Sequence, residues 1–66
     1  MEIKDKIKEL RLEKGLTQSQ LAKEINFSLS IVSKWENDKK TPSIPAVIIL
    51  AKYFNVTSDY LLGLEE

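Results

Sequence analysis

The chain has no cysteine and no histidine among its 66 residues. The first absence removes disulfides and thiolate metal sites. The second removes the commonest general base and the commonest neutral metal ligand. No apolar run approaches the roughly 18 residues of a membrane span, and the opening MEIKDKIKEL lacks an apolar signal-peptide core. A reducing, cytoplasmic setting with no membrane partner is the expectation. Glycine is scarce too, at two residues, and neither sits in a phosphate-cradling loop. Asp59 and Glu66 invite an acid–base reading, but they fall at a helix start and at the chain's end. An enzyme is therefore not expected, and no cofactor, metal or small-molecule substrate is evident. An excess of one charge is also missing. Ten Lys and Arg balance ten Asp and Glu, which argues against an indiscriminate polyanion binder. A local patch stays open, because residues 1–40 hold nine basic and seven acidic side chains and residues 41–66 hold one and three.

Hydrophobic residues make up 42% and charged residues 30%, the balance of a folded globular chain. The length allows one domain, residues 1–66, with no repeat, low-complexity tract or linker. A chain this short retains only about 3–5 kcal/mol of net stability, so each cap and helix stop matters.

The pattern predicts five helices and no strand. The first spans about Glu2 to Lys14, with Ile3, Ile7 and Leu10 on one face and Gly15 to end it. The second spans Gln18 to Ile25. Thr17 caps it, Gln20 completes a capping box, and Leu16 and Leu21 occupy staple positions. The third spans Leu29 to about Asn37, with Ser28 as cap and Phe27 and Val32 as the apolar pair around it. The polar segment NDKKTPS then breaks the pattern. The fourth spans Ile44 to Phe54 behind Ser43, with Pro45 in its first turn and Asn55 as a left-handed terminator. Its apolar face is read as Val47, Ile48, Ala51 and Phe54. The fifth spans Ser58 to Leu62, capped by Thr57 and ended by Gly63.

Only Asn26, Phe27 and Ser28 separate the second and third helices. So short a joint forces a steep crossing. Such a crossing needs a small residue, supplied by Ala22, and a left-handed turn residue, supplied by Asn26. On the third helix Ile31, Val32 and Trp35 turn inward or toward neighbouring helices. Ser28, Leu29, Ser30, Ser33 and Lys34 are left as the outer face.

At these residues a resemblance becomes visible. LTQSQLAKEINFSLSIVSKWENDKKTPS resembles the helix-turn-helix of phage-repressor-type transcriptional regulators, the Cro or xenobiotic-response-element family. IKELRLEKGLTQ and AKYFNVTSDYLL are similar to the entry and the close of that family's domain, so the likeness covers nearly the whole chain. It implies an all-α, compact five-helix, lambda-repressor-like DNA-binding domain whose helix-turn-helix is formed by helices 2 and 3. It further implies a regulator, a repressor in type, that binds double-stranded DNA and lays its third helix in the major groove of a palindromic operator. An α-helix fits that groove, and its N-terminal side chains reach base edges. Base contacts then fall to Ser28, Leu29, Ser30, Ser33 and Lys34. Thr17 and Gln18 stand at a helix N-terminus, where N–H groups and the dipole favour phosphate, and the family's matching glutamine touches phosphate. Asn37, Lys39 and Lys40 follow the third helix and are placed to grip the strand. Arg11 and Glu36 match a family pair that joins the first and third helices, a structural role. The family often pairs through its last two helices, which implies a homodimer on DNA. IPAVIILAKYF, Tyr53, Tyr60, Leu62 and Leu64 supply apolar side chains beyond one small core. Two departures stand out. Leu29 and Ser30 replace glutamines often found there, and Asn26 replaces the usual turn glycine at a cost of about 1 kcal/mol.

Each assignment has a plainer rival. Leu29, three residues before Val32, extends the core stripe as readily as it meets a thymine methyl. Ser28 and Thr17 are caps whatever the chain does. Ser33 and Lys34 also read as a solvated face, Lys39 and Lys40 as a soluble loop, and Trp35 as core rather than a stacking platform. A second function stays open beside DNA binding, that of a protein-interaction module using the apolar C-terminal helices.

Overall fold

The computed structural model describes residues 2–64; Glu66 lies outside them. Five helices follow in order: α1 Ile3–Glu13, α2 Gln18–Ile25, α3 Leu29–Glu36, α4 Ile44–Phe54 and α5 Ser58–Leu61. No strand is present among the described residues. α2 and α4 have the bounds expected; α3 and α5 stop one residue short of expectation, and α1 is one residue shorter at each end.

Four helices start on a side-chain cap. The Thr17 hydroxyl accepts the Gln20 N–H at 3.0 Å, and the Gln20 carboxamide oxygen accepts the Thr17 N–H at 2.8 Å, closing the capping box. Ser28, Ser43 and Thr57 accept from the N–H groups of Ile31, Ala46 and Tyr60. Each such cap stabilises its helix by about 1 kcal/mol. α1 begins at Glu2 with no side-chain cap.

All five helices end alike. Gly15, Asn26, Asp38, Asn55 and Gly63 take φ between 57° and 77°, and the N–H of the next residue reaches back five residues. These bonds run from Leu16 to Arg11, Phe27 to Ala22, Lys39 to Lys34, Val56 to Ala51 and Leu64 to Asp59, at 2.8–3.1 Å. This is the Schellman closure. The terminator after α3 is Asp38, within the polar segment NDKKTPS, where the residue types alone mark no stop. Aspartate, like asparagine, tolerates the left-handed region better than most residues.

Ile7, Leu21, Val32, Leu50 and Leu61 are fully enclosed, one from each helix, and they mark the centre of the core. Around them α2 packs on α3 and α4, α1 on α3 and α5, and α4 on α5. One expectation fails here. Ile48 is not on the buried face of α4; it is 44% exposed, and Ala46, Val47, Leu50, Ala51 and Phe54 form that face instead. Those positions repeat at i, i+1, i+4, i+5 and i+8, whereas Ile44 and Ile48 share a different, outward line.

Candidate nucleic-acid interface

The corner between α2 and α3 is built by its own backbone. Asn26 sits at φ 62°, ψ 42°, turning the chain sharply after α2. Phe27 then folds back over the joint, its ring 5.2 Å from the Trp35 ring and tilted 58°. Trp35 is 2% exposed and Val32 is wholly buried, so the inner flank of α3 is spent on the core. Ala22, buried at the crossing, keeps the helices close. Trp35 is therefore a core residue and not a stacking platform.

The outer flank is open. Ser28, Leu29, Ser30 and Lys34 are exposed, and Leu29 shows half its surface. Leu29 thus does not extend the core stripe. Ile31 is half-buried against the core. Ser33 is half-buried as well, and its hydroxyl accepts from Asn37 Nδ2 at 3.2 Å. The pair is four apart in sequence, a helical spacing that the residues alone reveal. Beyond Asp38, Lys39 and Lys40 are exposed, and both of their N–H groups are donated to the Lys34 carbonyl. The Asp38 carboxylate lies 3.7 Å from Lys4 of α1, an exposed pair that contributes little to stability.

A buried polar network fixes α3 from behind. Arg11 Nε donates to Glu36 Oε2 at 2.7 Å and Arg11 Nη2 to Glu36 Oε1 at 2.9 Å. Arg11 Nη1 donates to the Leu16 carbonyl at 2.7 Å. One guanidinium therefore ties α1 to the α1–α2 joint and to the end of α3. Its positive charge also offsets a carboxylate placed at a helix C-terminus, where the dipole disfavours it. Gln18, at the first position of α2, donates its carboxamide N–H to Glu36 Oε1 at 3.2 Å. That bond joins residues 18 apart in sequence, and no local pattern points to it.

The geometry now defines a class: a lambda-repressor-like, all-α domain whose second and third helices form a helix-turn-helix with its polar flank facing out. The helix-turn-helix family matches residues 7–61, and the chain belongs to that family. Among curated relatives, the HTH-type transcriptional activator BcrR of Enterococcus faecalis is 42% identical over all of this chain, which spans 32% of it. The HTH-type transcriptional regulator ImmR of Bacillus subtilis is 33% identical over the whole chain, which spans 52% of it. The chain thus covers about a third and about half of the length of these two relatives. Among solved structures, the P22 c2 repressor in complex with a synthetic operator superposes with a TM-score of 0.89 at 25% identity, over 98% of both chains. The solution structure of the P22 c2 repressor DNA-binding domain superposes at 0.84 with 24% identity, over 92% of this chain and 80% of that one, and supports the fold. Among the described residues no helix is long and apolar enough to cross a membrane.

Proposed function

We propose that residues 1–66 act as one helix-turn-helix domain of a sequence-specific transcriptional regulator, with α3 in the major groove of a palindromic operator. The observation that carries this reading is the division of α3: Val32 and Trp35 buried, Ser28, Leu29, Ser30 and Lys34 open. Small hydroxyls permit close approach and both donate and accept; Lys34 reaches guanine acceptors; Leu29 meets a thymine methyl. Ser33 contributes from the groove edge. Thr17, Gln18, Asn37, Lys39 and Lys40 hold the strand on either side of the reading helix. One relative is named an activator and the superposed repressor holds an operator; either mode of control starts from occupancy of such a site. A cytoplasmic setting follows from this reading.

A single module buries only about 600–1,000 Å² on DNA. Two copies on half-sites about 34 Å apart overcome that weakness. Ile44, Ile48, Ile49, Leu62 and Leu64 lie exposed and supply the pairing surface. The same apolar surface favours the second reading, a module that binds another regulator. Electrophoretic shift with duplexes drawn from a random pool separates the two. The DNA reading predicts affinity that falls with salt at a slope of about −0.9 per phosphate contact. No retained duplex at low salt supports the interaction module instead. Analytical ultracentrifugation of the bound species tests the dimer, and a single copy per duplex contradicts it.

A further inference from the structure

The carboxylate of Glu36 carries more than the bridge to Arg11: we propose that Glu36 is a positioning residue for DNA, aiming one N–H of the Gln18 carboxamide at a backbone phosphate. This inference rests on the reading above, in which Gln18 meets the strand. The Glu36 side chain is 2% exposed, and its Oε1 takes Gln18 Nε2 at 3.2 Å beside Arg11 Nη2 at 2.9 Å. An ionised carboxylate only accepts. The Gln18 amide must therefore present nitrogen, not oxygen, to Glu36, and the chemistry rather than the shape of the amide sets its orientation. That nitrogen has two hydrogens. One is held by Glu36 and the second is left to donate. A glutamine without this anchor samples rotamers freely and presents its carbonyl to a phosphate as readily as its N–H, which repels the anion. Arg11 completes the device. Its paired charge neutralises Glu36, so the anchoring carboxylate does not oppose a phosphate nearby.

The test uses the full chain and a duplex recovered with it from a random pool, remade with one neutral methylphosphonate at a time along each strand. At the position that Gln18 meets in each half-site, the substitution weakens the native chain about tenfold, the scale of a hydrogen bond to a charged group. Gln18→Ala abolishes that sensitivity. Arg11→Met/Glu36→Leu, which replaces the buried pair by apolar side chains and is checked for a cooperative melt, reduces it to about twofold or less, while the positions facing Lys39 and Lys40 keep theirs. A merely structural Glu36 predicts the opposite pattern: all positions change together, or the tenfold sensitivity persists, and either result overturns the proposal. Should the double variant not fold, the native chain decides. A scalar coupling between Gln18 Nε2 and the Glu36 carboxylate carbon persists in the DNA complex if the anchor works; its loss on binding overturns it. Gln18→Ala with every methylphosphonate sensitivity intact removes Gln18 from the phosphate and sinks this inference alone. A chain that retains no duplex from the pool sinks the DNA reading itself.

Discussion

α3 and α4 differ most on the side that faces away from the core. Both are capped by serine, and both bury an aliphatic and aromatic stripe in one shared interior: Val32 and Trp35 from α3, Val47, Leu50 and Phe54 from α4. Outside, α3 shows serines, a lysine and one leucine, whereas α4 shows Ile44, Ile48 and Ile49. Folding needs neither outer face, since each helix already has its cap and its buried stripe. The difference therefore speaks about partners. Small hydroxyls beside a cation suit an array of base edges and phosphates, and branched aliphatics suit another dry surface.

Changes to the shared interior erase the comparison and carry the largest effects. Glu36→Ala strands the Arg11 guanidinium in a buried site and is expected to cost about 3–5 kcal/mol, close to the whole net stability of so small a chain. Urea titration by circular dichroism checks this, and Arg11→Met/Glu36→Leu is expected to unfold at clearly higher urea than Glu36→Ala. Leu50→Ala opens a cavity at the core centre and is expected to cost about 2–5 kcal/mol, read by the same titration. The outer faces separate next. Lys34→Ala is expected to leave the melt within about 0.5 kcal/mol and weaken specific DNA binding by about 1–3 kcal/mol, measured by fluorescence anisotropy. Ser33→Ala follows the same direction, with a smaller loss in keeping with its half-buried hydroxyl. The smallest change in stability is expected for Ile48→Ser, within about 0.5 kcal/mol. Its effect falls on self-association, read by sedimentation, with binding to an isolated half-site unaltered. An Ile48→Ser chain that pairs as before would move the pairing surface elsewhere.

Most of the fold is legible in the sequence because its decisive signals are local. Thr17, Ser28, Ser43 and Thr57 announce helix starts by their residue type just ahead of an apolar run, Thr17 also through Gln20, and Gly15, Asn26, Asn55 and Gly63 announce stops. Asp38 was not legible as a stop, because aspartate in a polar run has many possible conformations and only the completed backbone selects one. Ile48 departs from the expected face for a different reason. IPAVIILAKYF is apolar nearly all round, so the buried line is chosen by which neighbours pack against it and not by periodicity. The open flank of α3 followed from the positions of Val32 and Trp35. The bonds behind it did not: Arg11 and Glu36 are 25 residues apart and came only through family likeness, and Gln18 joins them through a contact that exists only after the three helices have met.

Guanine N7 lies only in the major groove, so methylation of a bound duplex reports on the central claim most directly. With α3 inserted, N7 atoms within each half-site are protected by the native chain, and the protection is lost in Ser30→Ala/Lys34→Ala at concentrations where that variant stays folded. Unprotected N7 atoms throughout a duplex that the native chain demonstrably holds, or protection unchanged by the variant, would contradict the account.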